Sequence, residues 1–155
     1  MNKILLTFGT RPLAQRLGKV LASRYSCVFA SSEPFPDVLL KQHYRRLPTG
    51  GDPIYVHELL KLCLDEGCQF ILPLGKTELR VLLDAKILLE EYGIAVLIPN
   101  NLESCLVIEN PPSDMQIKVI HEGTDLLTQQ QITDSSFSGA GLLSDTDGEP
   151  ILCLI

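Results

Sequence analysis

No apolar run in the chain approaches the roughly 20 residues that a membrane-spanning helix needs, which argues against a bilayer span. The opening "MNKILLTFGT" is apolar only briefly and reads as a strand, not a secretory leader. Positive charge is scarce: 13 Lys and Arg against 19 Asp and Glu leave a formal net charge of -6. That disfavours non-specific binding to nucleic acid or anionic membrane. Metal-ligand spacing is also missing. Cys63 and Cys68 have no second Cys or His pair to complete a zinc set. His43, His57 and His121 are scattered, and no Ser-His-Asp or Cys-His set can be assembled from them. His57 falls beside an apolar helix stripe and reads as structural. There are no internal repeats and no low-complexity tract.

A phosphate-binding P-loop is excluded although "GKT" occurs at Gly75-Lys76-Thr77. That motif needs a Gly five positions before the final Gly, so that backbone N–H groups can wrap a phosphate. Phe70 stands there, followed by Ile, Leu, Pro and Leu. A dinucleotide fingerprint is weak for a similar reason. After Gly9 come Arg11 and Ala14 in place of the further glycines, although Glu33 lies near where a ribose-binding acid would sit.

What is present is an ordinary globular composition, 45% hydrophobic and 21% charged over 155 residues, enough for a real core. The five cysteines (Cys27, Cys63, Cys68, Cys105 and Cys153) are odd in number and lie in apolar segments, as expected of buried free thiols in a reducing cytoplasm. Apolar runs at residues 3–8, 26–30, 69–74 and 94–99 alternate with helical patterns. The first helix carries Pro12 in its first turn and Leu13, Leu17, Val20 and Leu21 on one face. The second has Asp52 as cap, Pro53 in its first turn, a stripe of Val56, Leu59, Leu60, Cys63 and Leu64, and Gly67 as its stop. The third has Thr77 as cap and Gly93 as stop. Residues 32–52 form a long, Pro- and Gly-punctuated connection in which "VLLKQHYRRL" can supply a short helix and a short strand. Its Arg45-Arg46 reads as a solvated loop pair or as a meeting point for an anion.

Continuous apolar strands separated by helices predict a four-stranded parallel, Rossmann-like α/β domain over residues 1–105. Ligands of such sheets sit at the carboxyl ends of the strands. That points to Gly9, Thr10 and Arg11 after the first strand and to Gly75, Lys76, Thr77 and Glu78 after the third. Gly75 permits close backbone approach, and a helix N-terminus favours an anion. Lys76 and Arg11 can add charge, and Glu78 suits the helix dipole as a first-turn acid. The same residue types also make an ordinary turn and cap. A small antiparallel β region is expected over residues 106–155, with a Gly-Asp turn in "SDTDGEP" before the strand "ILCLI". That strand is apolar on both faces, so cover by a second copy, a homodimer through residues 115–155, is expected, with packing against the chain's own helices as the rival.

The segments "KILLTFGTRPLAQRLGKVL", "YRRLPTGGDPIYVHELLKLCLDEGCQFILPLGKTELRVLL" and "YGIAVLIPNN" together resemble the N-terminal, preATP-grasp domain of the ATP-grasp enzymes over about two thirds of the chain. The resemblance implies a substrate-side domain beside an ATP site supplied by later domains. The catalytic elements of those domains are missing here. There is no Glu-x-Asn magnesium motif, and Lys118 is the one lysine after residue 100. The expectation is therefore a noncatalytic module that binds a small anionic ligand or docks a partner, with no metal or cofactor of its own. The alternative is a subunit or fragment of an ATP-dependent carboxylate ligase, using ATP only with an ATP-grasp partner chain.

Overall fold

Alternation of strand and helix continues from Asn2 to Val96 in the structure, a computed structural model that describes residues 2–143 and 150–155. The elements are β1 (Asn2–Leu6), α1 (Pro12–Leu21), β2 (Tyr25–Ser31), a short 3-10 turn (Asp37–Lys41), β3 (Tyr44–Arg46), α2 (Tyr55–Glu66), β4 (Phe70–Leu72), α3 (Lys76–Glu91) and β5 (Ala95–Val96). All pairings in this sheet are parallel, in the order β3-β2-β1-β4-β5. The sheet thus has five strands, not the four expected. The fifth is β3, three residues inside the long connection, where Tyr44 lies opposite Phe29 and stacks on its ring at 5.2 Å. Arg45 and Arg46 accordingly lie on a strand, not in a loop. Arg45 pairs with Glu66, and Arg46 pairs with Asp37 at 2.6 Å while lying 4.3 Å over the Phe35 ring.

Local chemistry explains the helix limits. Pro12 opens α1, where its missing N–H has no intrahelical partner to lose. Gly67 ends α2 at φ 74, a left-handed conformation that suits glycine. Asp52 does not cap α2. Its carboxylate accepts the Ile54 N–H at 3.0 Å in a turn just ahead of the helix, and the helix begins three residues later than its Asp. The buried residues of α2 are Tyr55, Leu59 and Cys63, while Leu64 is half exposed. His57 lies on the exposed side, contrary to a structural role in the core.

Residues beyond Val96 form a second five-stranded sheet, in the order β6-β10-β9-β7-β8. It comprises β6 (Val107–Glu109), β7 (Lys118–His121), β8 (Thr124–Asp125), β9 (Gly139–Leu142) and β10 (Ile151–Leu154). It is mixed and not purely antiparallel, because β6 and β10 run parallel. The turn expected in "SDTDGEP" falls on residues 144–149, outside the described ones.

The apolar strand β10 is internal, bonded to β6 on one side and β9 on the other. Its residues alternate between two cores. Leu152 and Leu154 join the cluster of α2 and α3 with Leu5, Val28 and Ile71. Cys153 joins the cluster of α1 with Ile4, Leu6 and Leu72. The cover that this strand requires on both faces therefore comes from its own chain. The need for a second copy, argued from the sequence, does not arise from this strand. Cys63, Cys68 and Cys153 are buried, and Cys27 and Cys105 are half-buried.

Candidate functional site

The order β3-β2-β1-β4-β5 places a topological switch point between β1 and β4. From β1 the chain passes through α1 to β2 on one side. The connection carrying α2 brings it back to β4 on the other side. Strand-to-helix loops diverge at such a point and leave a crevice at the strand carboxyl ends. Here the segment Thr7-Phe8-Gly9-Thr10 follows β1 and Pro73-Leu74-Gly75 follows β4, one on each side of that point.

Glu78, only 4% exposed, joins the two segments. The Thr7 hydroxyl donates to its Oε1, which also accepts the Leu74 N–H at 2.9 Å and the Gly75 N–H at 3.1 Å. The Tyr55 hydroxyl, at the start of α2, donates to Oε2 at 2.8 Å. The Leu74 N–H is shared with Thr7 Oγ1 at 2.8 Å. One carboxyl group thus ties together the ends of β1 and β4 and the beginnings of α2 and α3. Gly50, in the long connection, lies over it so closely that a Cβ there would come within 3.1 Å of the Glu78 backbone. Burial raises the Glu78 carboxyl above its ordinary value, against the downward pull of its four donors. The Tyr55 hydroxyl is raised as well, chiefly by burial and then by the adjacent carboxylate.

Each residue singled out from the sequence has a definite place here. Thr77 is not the cap of α3. Gly75 holds that position with φ -110 and ψ 142, and having no side chain it offers no capping oxygen. The cap is half of a capping box. Glu78, third in the helix, reaches back to the Gly75 N–H. Gly75 and Gly9 are close-packed against the chain's own rings. A Cβ on Gly75 would strike the Phe8 ring, and one on Gly9 would lie 2.5 Å from the Phe29 Cβ. Thr10 is half-buried, while Lys76 and Thr77 are exposed at the rim. Arg11, also on the rim, holds Glu33 through two bonds of 2.8 and 2.7 Å. The hydrogen bond from Arg11 keeps the Glu33 carboxyl below its ordinary value. Lys76 pairs with Glu109 of β6.

Thr7, Phe8 and Tyr55 also belong to the crevice, although the sequence patterns do not single them out. Phe8 has φ 50, a left-handed backbone unusual for an aromatic residue, and its ring bridges the crevice to Gly75. Such strained positions cluster at functional sites. The visible signal is slight: a polar Thr and an aromatic residue ahead of Gly9, and a Tyr at a helix start.

Both oxygens of Glu78 accept hydrogen bonds within the protein, so its carboxyl serves as a tie between elements. The groups facing solvent at the rim are the hydroxyls of Thr10 and Thr77 and the cations Arg11 and Lys76 with their partner carboxylates Glu33 and Glu109. Among the described residues, no cluster of three or more His, Cys, Asp or Glu could hold a metal ion, and no helix is long and apolar enough to cross a membrane. Compared with known proteins, the chain matches no family model and no curated protein sequence.

Proposed function

We propose that this chain is a noncatalytic module that takes up a small anionic ligand, a carboxylate or phosphate, at the crevice between β1 and β4. The reading follows the preATP-grasp resemblance of its sequence. One observation carries it: the buried carboxyl of the crevice is fully engaged by Thr7, Tyr55 and two backbone N–H groups, while the cations Arg11 and Lys76 stand exposed on the rim. Arg11 and Lys76 are paired with Glu33 and Glu109, but exposed ion pairs contribute only about 0–1 kcal/mol. An incoming anion can therefore replace either acid at little cost. It would also meet the N-termini of α1 and α3, which begin at the carboxyl ends of β1 and β4 and favour negative charge. Reduced thiols at Cys27, Cys63, Cys68 and Cys153 favour the cytoplasm as its compartment.

The test is a thermal-shift and calorimetry screen with amino acids, other carboxylates, phosphate, NAD and ATP with magnesium. A ligand at one hundred times its dissociation constant adds about 2.7 kcal/mol to stability. Stabilisation by a carboxylate or phosphate that disappears in the Arg11→Ala, Lys76→Ala double variant, with the unliganded stability unchanged within about 1 kcal/mol, supports the reading. Strong stabilisation by magnesium-ATP alone overturns it. That outcome favours the alternative, a subunit that completes an ATP-grasp ligase with a partner chain. A ligand located only at residues 115–155 rejects the placement.

A further inference from the structure

At the opposite end of the sheet, away from the crevice, α2 closes on a pair of cysteines. The N–H groups of Gly67 and Cys68 converge on the Cys63 carbonyl, that of Cys68 at 2.9 Å. This type of helix end, with a left-handed Gly after the last turn, brings the side chain three residues before the cap against that of the second residue beyond it. Here those two side chains are Cys63 and Cys68. Both are buried, at 0% and 5% exposure, in the same core cluster. The two thiols interact directly: Cys63 draws Cys68 below its ordinary value, burial and the Glu66 carboxylate push it up, and the Lys3 ammonium draws it down.

We propose that Cys63 and Cys68 form a dithiol that hydrogen peroxide converts to a reversible disulfide, stapling the end of α2 to the entry of β4. Cys68 is the attacking sulfur. Its interaction with Cys63 holds this thiol below the ordinary value against burial and Glu66, while the same interaction and burial push Cys63 up. Peroxide is small enough to reach a sulfur that is 5% exposed. Cys68 gives up its proton and its sulfur attacks one peroxide oxygen. The O–O bond breaks, leaving a sulfenic acid on Cys68, and the departing hydroxide takes up the proton as water. The Cys63 sulfur then attacks the Cys68 sulfur, the S–O bond breaks, and hydroxide leaves with the Cys63 proton as a second water. Two thiols are oxidised and one peroxide is reduced to two waters, and an external thiol reverses the change by exchange.

The remaining thiols are placed differently. Cys27 packs with the cluster of α1, and burial raises it to about 11. Cys153 lies in β10 and is raised to about 12. Neither offers a thiolate at neutral pH.

Intact mass and peptide mapping of the full chain test the proposal. Reduced protein, unfolded in maleimide, should carry five adducts, one for each cysteine. After stoichiometric peroxide it should carry three, and five again after a reducing thiol. Trypsin releases residues 62–76, which hold both cysteines, as one peptide. After oxidation this peptide should be lighter by two hydrogens and free of maleimide. Cys27→Ser should leave that result intact. Cys63→Ser, treated with peroxide and then unfolded in dimedone, should carry the dimedone on Cys68. Five adducts after peroxide, or a bridge mapped to Cys27, Cys105 or Cys153, overturns the proposal.

Discussion

Replacing Glu78 by Gln should make the protein's stability less sensitive to pH, in a direction set by burial. The wild-type carboxyl is raised above its ordinary value of 4.5, chiefly because it is buried. A group raised in the folded state binds its proton more tightly there than in the unfolded chain. Its stabilising contribution is therefore full below the unfolded value, near pH 4.5, and is lost as pH rises through the folded value. Within that window the loss runs at up to about 1.4 kcal/mol per pH unit. Gln is a near-isostere of the protonated acid. Its amide oxygen can accept from Thr7, Leu74 and Gly75, and its amide nitrogen can donate to the Tyr55 oxygen. The two proteins should accordingly agree within about 1 kcal/mol in acid, after which the variant gains on the wild type as pH rises. Glu78→Ala, by contrast, orphans the Thr7 and Tyr55 hydroxyls and the Gly75 N–H, at about 1–3 kcal/mol each. It should cost at least about 3 kcal/mol in acid, a gap that narrows as pH rises and the wild type loses the contribution of its protonated carboxyl. Urea denaturation followed by circular dichroism from pH 4 to 8 measures all three proteins. Groups common to all of them, such as Glu33, cancel in the differences. If Glu78→Gln instead falls further behind the wild type as pH rises, the four donors outweigh burial and the reasoning fails.

Gly75→Ala should destabilise by about 1–3 kcal/mol, because its new methyl meets the Phe8 ring in a backbone conformation that alanine otherwise tolerates. Adding Phe8→Ala should recover part of that loss, and a double-mutant cycle without coupling would show that the two residues do not touch. A chain truncated after Asn110 should lose cooperative unfolding, since both core clusters include side chains from β7 and β10, and one of them also from β9. A sharp thermal transition for the truncated chain would show that residues 1–105 fold alone. The full chain should scatter light as a 17.1 kDa monomer at tens of micromolar, because β10 is covered within one chain. A stable dimer would mean that another surface mediates assembly.

Alternation in the first hundred residues was legible because each element carries a local signal. Pro12 and Gly67 mark helix limits by backbone chemistry alone, and β1 and β2 are runs of buried residues long enough to stand out. β3 was not legible as an established strand. It is three residues long and owes its place to the partner strand β2. A second β region was expected, but its parallel β6–β10 pairing was missed for a related reason. Leu152 pairs with Val107, a partner far away in sequence that no local pattern names. "ILCLI" was correctly read as apolar on both faces, but periodicity records only the need for cover and not its source. At the crevice, Gly75 and Glu78 were visible as a helix start. The partners of Glu78, Thr7 and Tyr55, come from distant elements, so the tie emerges only when β1, α2 and β4 meet. Thr77 was misassigned as cap because a hydroxyl near a helix start is the usual signal, and here a carboxylate from inside the helix does the capping.

The position of β1 between β2 and β4 has a consequence for biosynthesis. Pairing with β2 spans residues 2 to 31, but the other edge of β1 waits for residues 70–72. Until the ribosome has delivered them, Ile4, Leu5 and Leu6 present an apolar strand with open backbone groups on one side. Such an edge is adhesive toward other nascent chains. At about 5–20 residues per second, the forty residues or so between β2 and β4 leave that edge open for roughly 2–8 seconds. The yield of folded protein should therefore depend on translation speed and chaperone supply more than its final stability suggests, and slowing synthesis between residues 31 and 70 should lower it.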